Sequence, residues 1–388
     1  MTGRLCLALF AIWILGHNEG NSVFVLAEGR LRSFPSKLAF AGGGFGATSG
    51  FKTGKSKGKK GRRRSPDESP LSPVVGGQGA PESRPECIAA AAAADLSTPQ
   101  ARMDHIRMCI QRANVSSMGT TNHKNDPNAI CCVDNFLGPQ LISVMRAEAE
   151  SILTLTLTQQ PPLGSSSSSS SSSTIAMVPS QSTRWDEETQ SVVAYDKVGV
   201  LSTQIEGGTE GYAASPCLVE YIVTLTKHLS EKINAAVQLP EYKLSAYQQT
   251  NKLAVCLGGG SKYDKHIDNL GHDGVGPEGD RRKMTALLYL QPSGSHADDA
   301  DDAANDARGG YFRAYDVPEE GKVRVIAPRG DRLLLFWSDS LVHDVSPSFA
   351  PNGESDRRWA LTVWFVADDG GTIRATDIQV AQRHFGLG

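Results

Sequence analysis

The chain has 388 residues, of which 39% are hydrophobic, and a formal net charge of −3 at pH 7. This length allows one large domain or two ordinary ones with a sizeable core, and the slightly negative charge excludes attraction of nucleic acid by a global electrostatic field. The seven cysteines contain no Cys-x-x-Cys pair, which argues against a zinc ribbon or a thioredoxin-type site.

The N-terminal 27 residues have the pattern of a secretory signal peptide. Arg4 precedes an apolar run, 5–15, that is too short to span a bilayer, and Val25-Leu26-Ala27 offers a cleavage site. We therefore predict a signal peptide over 1–27, a location in the secretory pathway or endoplasmic reticulum, and a mature chain without a membrane span. Two alternatives stay open, namely a bipartite plastid leader, and the cytoplasm or nucleus if the leader is not functional.

Residues 28–126 carry little periodic hydrophobicity and are predicted to be a low-complexity, largely disordered leader and linker. A run rich in lysine and arginine, 52–64, is interpreted as a solvated tail, and no nucleic-acid partner is expected. Within this segment, apolar residues at helical spacing predict one short helix over Thr98–Arg112.

A folded domain is predicted over residues 127–369, followed by a C-terminal tail over 370–388. It begins with a short apolar strand, 129–133, and a helix whose apolar residues start at Leu141. A run of pure serine predicts a flexible insertion over about 158–182, because serine alone cannot bury a core. A second helix is predicted over Pro216–Val237, with Ser215 as its cap and a core-facing apolar stripe at Leu218, Ile222, Leu225, Leu229 and Ile233.

From Lys252 onward the pattern changes to short β-runs separated by turns rich in Gly, Pro, Asp and Asn. The predicted strands are Leu253–Leu257, Met284–Leu290, Gly310–Tyr315, Val323–Ala327, Arg332–Trp337 and Ala360–Val366. Helices followed by many short strands favour a mainly β fold with supporting helices, either a sandwich or a barrel.

Four polar side chains at the edges of these runs have the composition of a metal site. Residues two apart in a strand point to the same face, so His266 and Asp268 can face one metal ion, which His343 reaches through the fold. Two imidazoles and one carboxylate hold one face of Fe(II) and leave the other face open. Arg358, further along the chain, can hold an acidic co-substrate. A His-x-Asp pair is common by chance, so the residues alone leave solvated surface polar groups as an equal alternative.

Four longer motifs carry a resemblance to a known family. They are Tyr263-x-x-His266-x-Asp268-Asn269, the run 331–339, His343-x-Val345-x-Pro347, and the run 358–365. From about Ile130 to Asp369 the chain resembles an iron- and 2-oxoglutarate-dependent dioxygenase, and within that superfamily it is similar to the hypoxia-inducible-factor prolyl hydroxylases of the egl-nine type. The resemblance implies a double-stranded β-helix, or jelly-roll, core.

The resemblance also implies the roles of individual residues. The implied Fe(II) ligands are His266, Asp268 and His343, with no catalytic residue beyond them. The implied contacts are Arg358, Tyr289 and Thr362 for the co-substrate 2-oxoglutarate, and Arg282 for the substrate. Molecular oxygen and ascorbate complete the implied cofactors.

The implied reaction is 4-hydroxylation of prolyl residues in a protein partner, coupled to decarboxylation of 2-oxoglutarate to succinate, with a role in oxygen sensing. The same chemistry on a lysyl residue or a small molecule is an alternative, and a non-catalytic metal-binding module is another. Arg358 argues against the last one, because a binding module needs no arginine for a co-substrate. The chain departs from the family at 255–258, Val-Cys-Leu-Gly, where the family has a tyrosine that contacts the co-substrate.

Overall fold

The computed structural model describes residues 95–118, 129–158, 175–186, 191–237, 239–269, 271, 279–292, 307–315 and 323–374. The predicted signal peptide, most of the predicted leader and the serine run 165–173 lie outside these residues. Among the described helices, none combines the length and the apolarity that a bilayer crossing requires.

The described strands carry the site and the described helices support them. The strands are β1 Ile130–Val133, β2 Val178–Asp186, β3 Ser191–Thr203, β4 Leu244–Cys256, β5 Ser261–His266, β6 Arg282–Tyr289, β7 Phe312–Tyr315, β8 Val323–Ile326, β9 Leu333–Trp337, β10 Val342–Ser348 and β11 Arg358–Ala367. The helices are α1 Pro99–Arg112, α2 Pro139–Thr158, α3 Gly208–Ala214 and α4 Pro216–Val237.

The strands form two antiparallel sheets. The larger has the order β1-β9-β6-β11-β4-β3-β2, and the smaller has the order β5-β10-β7-β8. From β4 to β11 the chain passes back and forth between the two sheets, which is the connectivity of a jelly roll. The predicted fold class, mainly β with supporting helices and a jelly-roll core, is confirmed.

The central strands β6, β9 and β11 of the large sheet bury both faces, and the alternation of side chains along each strand decides which face a residue joins. On one side, residues such as Leu361 and Val363 of β11 pack with the apolar stripes of α1, α2 and α4 in the main core. On the other side, Ala360 and Phe336 pack with Phe312 of the small sheet in a second cluster. The second face also carries the polar side chains of the candidate site.

The structure moves three predicted boundaries. Residues 95–118 are not linker, because α1 contributes Ile106 to the core and its Arg102 forms an ion pair with Glu220 of α4, with Nε and Oε2 2.6 Å apart. The flexible insertion was predicted to end at about residue 182, but β2 already begins at Val178. The predicted tail, 370–388, contacts the domain near its start, because the backbone N–H of Arg374 donates to Asp339 Oδ2 at 2.8 Å.

The prediction for α4 is correct in its bounds, in its buried stripe and in the position of Ser215, whose carbonyl oxygen accepts the hydrogen bond from Val219 N–H, but the Ser215 side chain does not cap the helix. The Ser215 hydroxyl donates to the carbonyl oxygen of Gly211 in α3. The first N–H groups of α4, from Cys217 and Leu218, instead donate to the carboxylate of Glu148 in α2, at 2.9 and 3.0 Å. A carboxylate is favourable here because it satisfies orphan donors at the positive end of the helix dipole.

Strands β2, β3, β5 and β10 are not among the predicted strands. The side chains of β3 from residue 194 to residue 199 alternate between exposed and half-buried positions, so no apolar period marks this strand in the sequence. In β10 the sequence Val-His-Asp-Val-Ser-Pro-Ser is mostly polar, although its first four residues are buried. β3 owes its place to pairing with β2 and β4, and β10 owes its place to pairing with β5 and β7.

Candidate metal and co-substrate site

The three predicted metal ligands come together at one end of the small sheet. His266 is the last residue of β5, and His343 of β10 lies directly opposite it in the strand pairing. Asp268 follows β5 by two residues, and its Oδ1 atom lies 3.4 Å from His266 Nε2 and 3.8 Å from His343 Nε2. One ligand atom from each residue falls within 4.8 Å of the other two, which is close enough for all three to bind a single ion.

Both imidazoles present the nitrogen that a metal needs. His266 Nδ1 lies 2.8 Å from the carbonyl oxygen of Asp264, and His343 Nδ1 lies 3.1 Å from that of Leu341. A carbonyl only accepts hydrogen bonds, so Nδ1 is the protonated nitrogen in each ring. The lone pair of each Nε2 is therefore available to a metal, and the backbone fixes the orientation of both rings.

Asp268 is held so that one carboxylate oxygen faces the two histidines. The other oxygen, Oδ2, accepts hydrogen bonds from Thr285 Oγ1 at 2.7 Å and from Trp364 Nε1 at 3.0 Å. Thr285 and Trp364 lie opposite each other on β6 and β11, so the sheet register aims both donors at one oxygen. Burial opposes ionisation of Asp268, but the neighbouring imidazoles of His266 and His343 outweigh it and hold the pKa of its carboxyl well below the ordinary value.

His343 lies in an aromatic pocket. Its ring stacks on Phe312, with centroids 5.0 Å apart, and meets Phe336 edge-on at 4.9 Å. Burial lowers the pKa of His343 to about 4. The ring is therefore neutral at physiological pH, which is the form that binds a metal ion.

Arg358, the first residue of β11, is a buried cation without an acidic partner among the described residues. Its side chain is 4% exposed, its Nη2 atom donates to the Tyr289 hydroxyl at 3.3 Å, and Nη1 lies 4.0 Å from Cys256 Sγ. The Nε atom has no hydrogen-bond partner. An unpaired buried charge costs several kcal/mol, so this position calls for an anionic ligand.

A cleft connects Arg358 to the three candidate metal ligands. Alternate residues of β11 form one wall, and they are Arg358, Ala360, Thr362 and Trp364. Thr362 therefore faces the cleft together with Arg358, as their spacing of four residues predicted. Tyr289 touches Arg358 but is not among the residues that line the cleft.

Arg282, the predicted substrate contact, begins β6 and lies beside the cleft. Its Nε atom donates to both carboxylate oxygens of Asp280, at 2.9 and 2.8 Å, and its guanidinium lies 5.2 Å from the centre of the Trp364 ring. Arg282 is not among the residues that line the cleft. Its contact with a substrate stays a prediction.

Sequence reasoning assigned no role to Thr285, Trp364 or Lys252, which all line the cleft. A signal was present for two of them. Trp364 follows Arg358 by six residues on the same strand, and Lys252 directly precedes the apolar run 253–257 and shares the face of Ala254 and Cys256. The sequence gives no such indication for Thr285, because its hydrogen bond to Asp268 depends on the pairing of β6 with β11.

Comparison with known proteins identifies the family of the segment that holds the site. Residues 251–366 match the model of the 2OG-Fe(II) oxygenase superfamily. This segment contains β5 and β10 and most of β11, and with them the candidate metal ligands and the buried arginine.

Curated relatives match a longer part of the chain. The chain is similar to Egl nine homolog 1 from Homo sapiens, with 26% identity over 246 residues that cover 62% of this chain and 45% of the human protein. It is also similar to the prolyl hydroxylase EGLN3 from Mus musculus, with 31% identity over 169 residues that cover 42% of this chain and 56% of the mouse protein. The chain thus spans about half the length of these relatives.

Among solved structures, a prolyl hydroxylase from Trichoplax adhaerens, in complex with a hypoxia inducible factor oxygen degradation domain peptide, matches with 22% identity. The match covers 71% of this chain and 96% of that chain, with a TM-score of 0.39. A likeness of this degree carries no inference about function.

Proposed function

Because residues 251–366 belong to the 2OG-Fe(II) oxygenase superfamily, we propose that the chain is an iron- and 2-oxoglutarate-dependent dioxygenase that hydroxylates prolyl residues of a protein at C4. The reaction would be coupled to decarboxylation of 2-oxoglutarate to succinate. The proline target is supported by the relatives named above, two of which are an Egl nine homolog and a prolyl hydroxylase.

The observation that carries the proposal is the buried guanidinium of Arg358, which lies in the same cleft as the three metal-binding side chains. A structural metal site would not need this cation. A dicarboxylate that binds a metal at one end and a guanidinium at the other accounts for both groups. Arginine suits this role because its planar donors match a carboxylate.

The described residues fit the implied iron. Two free Nε2 atoms and one carboxylate oxygen form the two-histidine, one-carboxylate arrangement that leaves part of the coordination sphere open. Bound Fe(II), with 2-oxoglutarate, would supply the activation of molecular oxygen. The protein would contribute positioning, since backbone carbonyls orient both rings and Thr285 with Trp364 orients Asp268.

At the other end of the cleft, Arg358 would bind the far carboxylate of 2-oxoglutarate. The Tyr289 hydroxyl, 3.3 Å from Nη2, would orient the guanidinium, and Thr362 would add a hydroxyl on the same wall. The apolar side chains between the sheets, Leu287, Phe312 and Phe336, would keep water from the reacting centre. Arg282 at the rim is our proposed contact for the peptide outside the cleft.

The test is turnover by the purified chain with Fe(II), ascorbate and 2-oxoglutarate in the presence of a library of proline-containing peptides. We expect succinate release together with a gain of one oxygen atom on proline, located by tandem mass spectrometry. Oxygen found on lysine, or on no peptide residue while succinate still forms, would contradict the prolyl target and leave the oxygenase chemistry standing.

Two variants test the residues. Asp268→Ala removes one ligand from the site, and we expect no succinate above background. His228→Ala is the matched control, because His228 lies on α4 and pairs with Glu231, away from the cleft. Equal turnover in Asp268→Ala and in the parent chain would contradict the assignment.

A further inference from the structure

A second group of cations lies in the cleft, apart from Arg358. The ammonium of Lys252 on β4 lies 5.6 Å from the centre of the Tyr263 ring, and that of Lys197 on β3 lies 4.5 Å from the same centre. Lys252 and Tyr263 both line the cleft, and both lysine side chains are half-buried. Two lysine amino groups therefore share one aromatic ring beside the candidate metal site.

Lys252 has no acidic partner within ion-pair distance among the described residues. Its neighbour across the Trp364 ring offers a direct comparison. Lys252 Nζ lies 5.4 Å from the centre of that ring and the Arg282 guanidinium lies 5.2 Å from it, but only Arg282 has a carboxylate, that of Asp280. The charge of Arg282 is thus balanced by an ion pair inside the protein, whereas Lys252 contacts only aromatic faces and is attracted from a longer distance by Asp268, a candidate metal ligand.

Holding these two lysines together is unfavourable without an anion. Burial, followed by repulsion from Lys252, lowers the pKa of Lys197 to about 7, and burial lowers the pKa of Lys252. Contacts with aromatic faces offset part of this cost. A carboxylate bound between the two ammonium groups would remove the repulsion and stabilise both charges.

Lys252 lies too far from Arg358 along the sheet for one carboxylate to serve both. On β11, Arg358 pairs with Cys256, whereas Thr362 pairs with Lys252, so the two cations are four residues apart on the same face. Four residues of a strand span about 13 Å. Lys252 is instead next to Trp364, whose indole donates to Asp268, and this places Lys252 at the metal end of the cleft.

We propose that Lys252, supported by Lys197, forms an anion-binding subsite for the substrate, and that it binds the carboxylate of an Asp or Glu residue next to the target proline. This inference deepens the proposed function and rests on it. It predicts that the substrate has an acidic residue next to the target proline. The candidate metal ligands and Arg358 alone do not predict this.

The test compares two fluorescent peptides that differ only in Pro-Asp against Pro-Asn. Their binding to the full chain with Fe(II) and 2-oxoglutarate is measured by fluorescence anisotropy without oxygen, so that no turnover occurs. We expect the Asp peptide to bind about tenfold more tightly, as a charged hydrogen bond in a partly dry site would give. In Lys252→Met this preference should fall to about one.

The matched control is Lys262→Met. Lys262 lies on β5 next to Tyr263, but it is exposed and pairs with Asp264 at 2.9 Å. This variant should keep the full preference for the Asp peptide. Lys197→Met should lose part of it, and this variant decides the question if Lys252→Met does not fold.

Three results would overturn the subsite: equal binding of the two peptides by the parent chain, a preference that survives Lys252→Met, or a preference that Lys262→Met also loses. The subsite would also be overturned if Lys252→Met and Arg358→Met raised the required 2-oxoglutarate concentration by the same factor. That result would assign Lys252 to the co-substrate. Failure of the proposed function gives a different result. In that case the Asp peptide still binds preferentially, but no oxygen is added to its proline when air is admitted.

Discussion

At the scale of single residues, the geometry of the site depends on side chains that would not touch the metal. Asp268 presents one oxygen to the histidines because Thr285 and Trp364 occupy the other. Thr285 is itself tied to the Ser338 hydroxyl, 2.8 Å away, so the donor is fixed in turn. Groups behind a metal ligand commonly set its orientation and basicity.

Replacing Thr285 by valine keeps the shape of the side chain and removes the hydroxyl donor. We expect Fe(II) affinity to fall by roughly 10- to 100-fold, the usual effect of losing such a contact. The measurement is Fe(II) binding by anaerobic calorimetry, together with the melting temperature of the apoprotein.

The control is Thr250→Val on β4. Thr250 also lies opposite Trp364, but its hydroxyl has no hydrogen-bond partner among the described residues. Fe(II) affinity in this variant should match that of the parent chain. If both variants lost the same affinity, the hydrogen bond to Asp268 would not be the cause.

The sequence identified the candidate metal ligands but not the side chains that orient them. His266 and Asp268 are two residues apart, so a strand pattern alone puts them on one face, and motif resemblance adds His343 and Arg358. The contacts of Asp268 come from β6 and β11, and their register follows from sheet pairing that a single sequence does not reveal. The missing tyrosine near Cys256 was visible in the sequence, and the structure shows that Cys256 instead faces the guanidinium of Arg358.

At the scale of elements, strand periodicity explains how one sheet serves the core and the site. Strands β4, β6, β9 and β11 place alternate residues against the helices or in the cleft. Because both faces of these strands are buried, their sequences contain continuous apolar runs, and these runs were predicted to be strands. Strands β2 and β3, at one end of the large sheet, have no such run, and they were missed for that reason.

The junction between α2 and α4 gives a prediction at this scale. Glu148 caps α4 from outside the helix, so Glu148→Ala leaves two backbone donors without an acceptor. We expect a loss of about 1–2 kcal/mol in the free energy of unfolding. Thermal unfolding followed by circular dichroism should show a melting temperature lower by about 2–8 °C.

Gln140→Ala is the control for that measurement, because Gln140 is exposed in the first turn of the same helix. Its melting temperature should stay within about 1 °C of the parent value, since exposed substitutions usually change stability little. A similar drop in both variants would assign the effect to α2 itself and not to the cap of α4.

At the scale of the whole molecule, the domain is larger than its sequence pattern indicated. Helix α1 buries Ile106 and Ile110, at 0% and 1% exposure, and the turn after it buries Met118 at 2%. Lys232 of α4 donates to three carbonyl oxygens at the end of α1, at 2.6 to 2.8 Å. The helix is thus part of the fold, although the low-complexity sequence before it suggested a linker.

Two truncations test this boundary. A chain that starts at residue 95 should keep the melting temperature and the succinate release of the full chain. A chain that starts at residue 127 loses three buried apolar side chains, each of which contributes about 2–5 kcal/mol, and this sum is comparable to the whole stability of a domain. We expect that chain to be insoluble or unfolded, and normal melting of the shorter chain would refute a structural role for α1.

The central claim is that one cleft holds Fe(II) at His266, Asp268 and His343 and the far carboxylate of 2-oxoglutarate at Arg358. The most direct measurement is an anaerobic titration of the Fe(II)-loaded chain with 2-oxoglutarate, followed by the visible charge-transfer band of the chelate. We predict that the band forms in the parent chain, needs roughly 10- to 100-fold more 2-oxoglutarate in Arg358→Met, and is absent in Asp268→Ala. Absence of the band in the parent chain, or an unchanged titration in Arg358→Met, would contradict this account.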